Sequence, residues 1–222
     1  MGEKQSALER LCQIYWQPLY YYARRLTRQP ADAQDLVQGF FHRLIEKEYL
    51  ALIEKKETGS FRGFLKCALE RYRIDEWRSL TAVKRGGGSH HLSLDFEAAE
   101  RDFGEWEIGH SDSSLIYDRL WALVTLGQAL EVSKNFFVKR NKEDLFEFLK
   151  KTLPGQGPRG TYQSEAERLG VPVNTLKSEV KRFREEIFPM AIRQVVSETV
   201  NYRCVEELDE EIRYLVEIVT SP

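Results

Sequence analysis

Cysteine is scarce in this chain. The three residues, Cys12, Cys67 and Cys204, are odd in number and far apart. Such a set frames no disulfide scaffold and fits a reducing cytoplasm. No Cys-x-x-Cys or His-x-x-x-His spacing occurs, and the adjacent pair His90-His91 is poor geometry for one metal, so no zinc site and no cofactor is expected. No apolar run approaches membrane-spanning length, and the first residues lack an apolar signal core, which predicts a cytoplasmic protein with no membrane attachment. Met1-Gly2 with Ser6 formally fits a myristoylation signal, but no other feature supports it. A basic excess is missing too. The 33 Lys and Arg face 35 Asp and Glu, for a net charge of −2. A protein that coats nucleic acid by charge alone would be basic overall.

What is present is helical periodicity and segregated charge. With 222 residues the chain can bury one large core or two small ones. Leu8, Leu11, Tyr15 and Leu19 form a stripe at helical spacing, with a break expected at Pro18. Pro30-Ala31-Asp32 marks a second helix start. Leu36, Phe40, Leu44 and Ile45 form its buried stripe, with Asp35, Gln38, Phe41 and Arg43 beside or opposite it. Phe41 is then either half-buried core or a contact for a partner. The polar loop Lys55 to Ser60 precedes a strong helix, Phe61 to Leu80. Its apolar side runs Phe61, Phe64 or Leu65, Ala68 or Leu69, Tyr72, and its other side interleaves arginines with aromatic rings. Such a face can stack unpaired bases and hold phosphates. It is equally what a helix of snorkelling arginines over an aromatic core would show.

Residues Thr81 to Ser114, containing Lys84-Arg85-Gly86-Gly87-Gly88-Ser89, read as a flexible linker. These glycines lack the spacing and the preceding strand of a phosphate-binding loop. Helical stripes resume with Leu120, Leu123, Val124 and Leu130, and again with Leu145, Phe146, Leu149 and Leu153. Leu153 to Gly160 is a turn.

Residues 162–184 read as two short helices around a tight turn. Thr161 caps the first, Ala166 and Leu169 face inward, Gly170 takes a positive φ and Pro172 opens the second. Leu176, Val180 and Phe183 form one buried stripe. Asn174, Lys177, Ser178, Lys181 and Arg184 lie opposite, a polar and largely cationic face of the kind a DNA major groove accepts. Glu165 and Glu179 run against that pattern. A helix is expected from Ile192 to Val200. Leu208, Ile212, Leu215 and Val219 form a last amphipathic helix within an acidic tail. The class is all-α. Two small helical domains, 1–80 and 115–200, are joined by a flexible linker at 81–114, the second containing a helix-turn-helix at 162–184, and an acidic helical extension follows at 201–222.

Three motifs in order resemble a known family. Ala33-Gln34-Asp35-Leu36-Val37-Gln38-Gly39-Phe40-Phe41 resembles the "dAeDLvQevF" of bacterial extracytoplasmic-function sigma factors, the minimal two-domain sigma subunits of RNA polymerase. Phe61-Arg62-Gly63-Phe64-Leu65, then Ile74-Asp75 and Arg78, resembles "FraWL…iD..R". Glu167 to Arg182, through Leu169-Gly170 and Thr175-Leu176-Lys177-Ser178, resembles "iAe.LG…TVKSrl.R". The run Lys84 to Gly88, Ser93-Leu94-Asp95 with Ala99-Glu100, Asp118 to Ala122, and a tail with Glu198-Thr199-Val200 and Glu210 to Leu215 are similar to a subgroup with a glycine-rich linker and a C-terminal extension.

The resemblance implies a division of labour. Asp35, Gln38, Phe41 and Arg43 would bind core RNA polymerase. The loop Lys56 to Ser60 with Phe61, Arg62, Phe64, Arg71, Tyr72 and Arg78 would capture one strand of the −10 promoter element. Asn174, Thr175, Lys177, Ser178, Lys181, Arg182 and Arg184 would read the −35 element in duplex DNA. The family often has Asn where Arg71 stands, so the −10 sequence does not follow. The protein would be a monomer when free, with core polymerase and promoter DNA as partners and room for an anti-sigma factor or other regulator.

Two other classes compete. A stand-alone helix-turn-helix DNA-binding regulator would predict a dimer on a palindromic site, and the Asp35 to Phe41 match argues against it. For an enzyme, Asp32, Asp35 and Asp75, or Ser89 with His90, would have to act, and none sits in a supporting motif. Asp75 reads instead as an ion pair with Arg78 one turn on. The acidic tail beside a basic helix leaves open whether the tail covers the reading helix in the free protein.

Overall fold

A computed structural model describes residues 2–46, 60–80, 94–107, 113–153, 162–198 and 205–220. They form α1 (Gly2–Leu26), α2 (Pro30–Glu46), α3 (Phe61–Leu80), α4 (Phe96–Glu107), α5 (Ser113–Val138), α6 (Glu143–Lys150), α7 (Tyr162–Leu169), α8 (Val173–Arg182), α9 (Phe188–Ser197) and α10 (Val205–Thr220). The fold is all-α, with no strand among the described residues. Residues 47–59, 81–93, 108–112, 154–161 and 199–204 lie outside the described residues, and with them the expected loop Lys55 to Ser60 apart from Ser60, the glycine run 84–88, the expected cap Thr161 and the expected turn Leu153 to Gly160 apart from Leu153.

α1 and α5 are the two central helices. From Leu19 to Ala23 every side chain of α1 is buried, which the sequence foreshadows by its Leu-Tyr-Tyr-Tyr-Ala run. The helix passes through Pro18 without the expected break. Pro18 removes one intrahelical hydrogen bond, but the buried residues on either side, Ile14 and Tyr15 before it and Leu19 and Tyr20 after it, hold both halves in one core. α5 is flanked by α1 on one side and by α9 and α10 on others. Its buried hydroxyls are satisfied locally: Thr125 donates to the Trp121 carbonyl at 2.8 Å and Ser133 to the Ala129 carbonyl at 2.8 Å.

The hydrophobic clusters do not follow the expected boundary. The larger one takes residues from both sides of 81–114: Leu11 to Leu69 from α1 to α3, Ile116 to Ala129 from α5, Ala191 to Val196 from α9 and Leu208 to Ile218 from α10. The smaller one gathers Phe137, Phe146, Leu149, Ala166, Leu176, Val180 and Phe183. α5 runs through both. The reason is that Tyr117, Leu120, Trp121 and Ala122 present an apolar surface that α1 covers. Within the stretch expected as linker, Phe96–Glu107 is helical. Asp95 caps it by accepting the Ala98 N–H at 2.9 Å, and Phe96 and Ala99 are buried in the larger cluster. Glu100 fastens it to α1, accepting hydrogen bonds from Tyr20 at 2.6 Å and from the Arg24 guanidinium at 2.9 Å.

The path from α8 to α9 is continuous. Residues Phe183–Ile187 form a π-helical turn between them. Pro189 has no N–H and crowds the carbonyl four residues back, so the wider turn just before it lets the helix continue, and α9 begins at Phe188, ahead of the expected start at Ile192.

Candidate nucleic-acid interface

Two surfaces carry the predicted residues. The first lies between α2 and α3. Phe64, Cys67, Ala68, Arg71, Tyr72 and Asp75 recur at helical spacing on one side of α3 and, with Phe40, Arg43 and Leu44 of α2, line a cavity of about 280 Å³. Phe64 stacks on Phe61 with ring centroids 6.2 Å apart. The Arg43 guanidinium lies 5.5 Å from the Tyr72 ring centroid and 3.9 Å from the Asp75 carboxylate. Asp75 thus has Arg43 as a partner from the neighbouring helix; the side chain of Arg78, its expected partner, lies outside the described residues. Gly39 of α2 is where the Tyr72 hydroxyl comes closest, and a Cβ there would collide with it. Arg71 is exposed at the rim and Tyr72 is half-buried. Cation, aromatic faces and an open apolar floor can stack a base and hold its phosphate.

Three expected residues sit elsewhere. Phe41 is fully buried, so of the two options left open for it the core is the one observed. Phe61 is also buried, edge-on to Tyr15 at 5.4 Å, and supports Phe64 from behind. Arg62 departs furthest. Its side chain points away from the cavity into a centre of its own, where Nε lies 2.8 Å from Asp118 Oδ1 and Nη1 lies 2.8 Å from Glu211 Oε1. Its guanidinium carbon is 4.0 Å from the Tyr214 ring centroid and 4.8 Å from that of Trp121. Tyr214 donates to Asp118 at 2.9 Å, and Tyr117 donates to the Arg62 carbonyl at 3.1 Å. Burial pulls the Arg62 pKa down, but the charges of Glu211 and Asp118 outweigh it and hold it above the ordinary value. Burial pushes the Glu211 carboxyl up against the pull of Arg62, and burial with the Asp118 hydrogen bond pushes Tyr214 up to about 12. The sequence signal for this centre was an acid on an apolar stripe. Glu211 falls three residues after Leu208 and four before Leu215, both buried. Asp35 is exposed, and Gln38 and Arg43 are half-buried on α2.

The second surface is α7 and α8. Gly170 has φ +66 and ends α7 in a Schellman turn: the Gly170 N–H donates to Glu167 O at 3.2 Å and the Val171 N–H to Ala166 O at 3.0 Å. Pro172 caps the start of α8, one position earlier than expected. Leu176, Val180 and Phe183 are buried, which turns Asn174, Thr175, Lys177, Ser178, Lys181 and Arg182 outward, all exposed. The two acids that disturbed the pattern have partners off the reading face: Glu179 lies 3.6 Å from Lys142 and Glu165 2.8 Å from Arg168. Arg184 is drawn off that face too, donating to the Thr152 carbonyl at the end of α6 at 2.6 Å. Among the described residues the tail does not cover this surface: α10 packs on α5 and α9, and the α8 residues stay exposed with α10 in place.

Among the described residues no helix is long and apolar enough to cross a membrane. Residues 11–83 match the family model of sigma-70 region 2. No curated protein and no solved structure matches the chain. The matched residues take in α1 from Leu11 on, α2, α3 and the whole α2–α3 cavity. The match covers less than half of the chain and supports a likeness to sigma-70 factors over that part.

Proposed function

We propose that the chain is a sigma factor of the extracytoplasmic-function kind, in the subgroup with a glycine-rich linker and a C-terminal extension. The observation that carries this reading is the region 2 match at residues 11–83. In it, Asp35, Gln38 and Arg43 on α2 meet core polymerase. Phe64, Arg71 and Tyr72 hold an unpaired base of the −10 strand, with stacking of ~1–3 kcal/mol per base set against the cost of unstacking it. On α8, Asn174, Thr175, Lys177, Ser178, Lys181 and Arg182 read the −35 element from the major groove. The protein works in the cytoplasm, without a cofactor, and is a monomer when free.

The test is transcription in vitro with core RNA polymerase on fragmented genomic DNA, reading the start sites. Specific starts that share two upstream elements are expected. If core polymerase is not bound at all, the α2 face has been misassigned, and a stand-alone regulator acting through α7 and α8 takes its place.

A further inference from the structure

α10 is held to the body through one face, where Leu208, Glu211, Leu215 and Ile218 are buried. Two further stripes run along the same helix. Val205, Ile212, Val216 and Val219 follow one another at intervals of seven, four and three residues, so they share one side. Val205, Val216 and Val219 are exposed, Val205 at 59% and Val216 at 50%, and Ile212 is half-buried. The charged residue at the same register, Asp209, is paired with Arg193 of α9. Met190, one turn before Arg193 on α9, is 70% exposed. Beside this apolar side, Glu206, Glu210 and Glu217 form an exposed acidic stripe, and Arg213 is the single cation of the helix.

An exposed valine by itself is ordinary on a protein surface, but an apolar side that runs the length of one helix marks a contact. From Val205 to Val219 it extends about 21 Å. Its charge says what fits there. The acidic margin repels a DNA backbone and an anionic lipid surface, both negative. A second copy of this chain would bring the same acidic stripe to the contact, and like charges set against each other are costly. A helix with apolar residues at the same spacing and Lys or Arg along one margin matches both stripes at once. α8 of this chain is not such a helix, because its cations are exposed while its apolar stripe is buried in the smaller cluster.

We propose that the outer side of α10, continued by Met190 of α9, is a docking surface for a basic amphipathic helix of a partner protein. Val205, Ile212, Val216 and Val219 take the apolar face of that helix, and Glu206, Glu210 and Glu217 take its cations. The surface lies on other helices than the DNA faces of α3 and α8 and outside residues 11–83, so it does not depend on the sigma reading.

The experiment uses the full chain and a labelled synthetic peptide of about five helical turns, with leucine at the a and d positions of each heptad and lysine along one margin. A second peptide carries glutamate in place of the lysine. Fluorescence anisotropy measures binding. The lysine peptide is expected to bind wild type at least about tenfold more tightly than the glutamate peptide. Val216→Ser with Val219→Ser should weaken the lysine peptide about tenfold. Glu210→Lys with Glu217→Lys should weaken it by a similar factor and reverse the preference toward the glutamate peptide. These positions are exposed, so both double variants should melt close to wild type. Lys177→Ala on α8 should leave peptide binding unchanged. Amide exchange in wild type should slow along 205–219 when the lysine peptide is bound. If the lysine peptide binds both double variants as tightly as wild type, or protects other helices instead, the docking surface is refuted. If the chain alone sediments as a dimer that Val216→Ser with Val219→Ser dissociates, the occupant is a second copy and the partner helix is overturned.

Discussion

α3 and α8 are the two helices whose sequences mix cations with apolar residues most closely, and their cations have different fates. On α8 every cation of the stripe opposite Leu176 and Val180 is exposed. On α3 the arginines divide. Arg62 and Arg71 are about two and a half turns apart, which places them on opposite sides of the helix. Arg71 faces the cavity, while Arg62 is buried between carboxylates from α5 and α10. The difference lies in what each helix packs against. α8 has one covered face and one open face. α3 is covered on two sides, by α2 and by the α5–α10 pair. A cation in a helical pattern signals an outward face only when one side of that helix is covered.

The sharpest way to break this comparison is at Arg62. Arg62→Ala leaves buried Glu211 without its cation and facing the half-buried Asp118, and a loss of about 3–5 kcal/mol is expected, of the size seen when one partner of a buried pair is removed. Urea unfolding of the full chain measures it. Arg71→Ala, on the same helix, should stay within about 0.5 kcal/mol of wild type. If the two variants lose the same stability, the two-sided burial of α3 has no energetic weight.

Much of this was legible beforehand. The start of α2, the bounds of α3, the Gly170 turn and the Leu176, Val180 and Phe183 stripe all follow from local signals: a proline at a helix start, a glycine at positive φ, apolar residues at 3.6 spacing. What could not be read was which helix covers which. Nothing near Arg62 in sequence points to Glu211, 149 residues away. The expected domain boundary put α5 wholly with the second unit, whereas Tyr117 and Trp121 are buried in a cluster shared with α1. The cavity could be anticipated only as a face of α3, because its other wall comes from α2.

The next effect is on binding alone. Lys177→Ala on α8 and Arg71→Ala on α3 both remove exposed cations, so each is expected to weaken DNA binding by the holoenzyme and to reduce the salt slope by about 1, with folding unchanged. The two should separate by substrate: Lys177→Ala acts on the −35 duplex and Arg71→Ala on the −10 strand. A single substrate affected by both would merge the two surfaces into one.

A smaller effect concerns how α4 is held. Burial raises the Glu100 pKa, but hydrogen bonds from Arg24 and Tyr20 outweigh it, and the group sits below its ordinary value. An acid whose pKa is depressed by folding contributes stability that is present above its unfolded pKa and lost as pH falls through the folded one. The docking of α4 on α1 should therefore hold at neutral pH and loosen below about pH 4. Amide exchange in α4 across that range measures it, and Glu100→Gln should remove the dependence on acid.

The smallest effect tests whether the cavity depends on one close approach. Gly39 lies inside α2, where alanine is favoured by up to ~1 kcal/mol over glycine. The added methyl group would meet the Tyr72 hydroxyl, and the Tyr72 ring is flanked by Phe40 at 6.1 Å and by the Arg43 guanidinium. Two opposed changes follow from Gly39→Ala: the helix gains, and the ring that forms one side of the cavity is pushed out of place. The melting temperature is expected to change little, while holoenzyme affinity for a single-stranded −10 oligonucleotide falls a few-fold. A rise in melting temperature with affinity intact would show that the ring swings aside freely. Tyr72 would then be wall rather than contact, and the base-holding role would pass to Phe64 and Arg71.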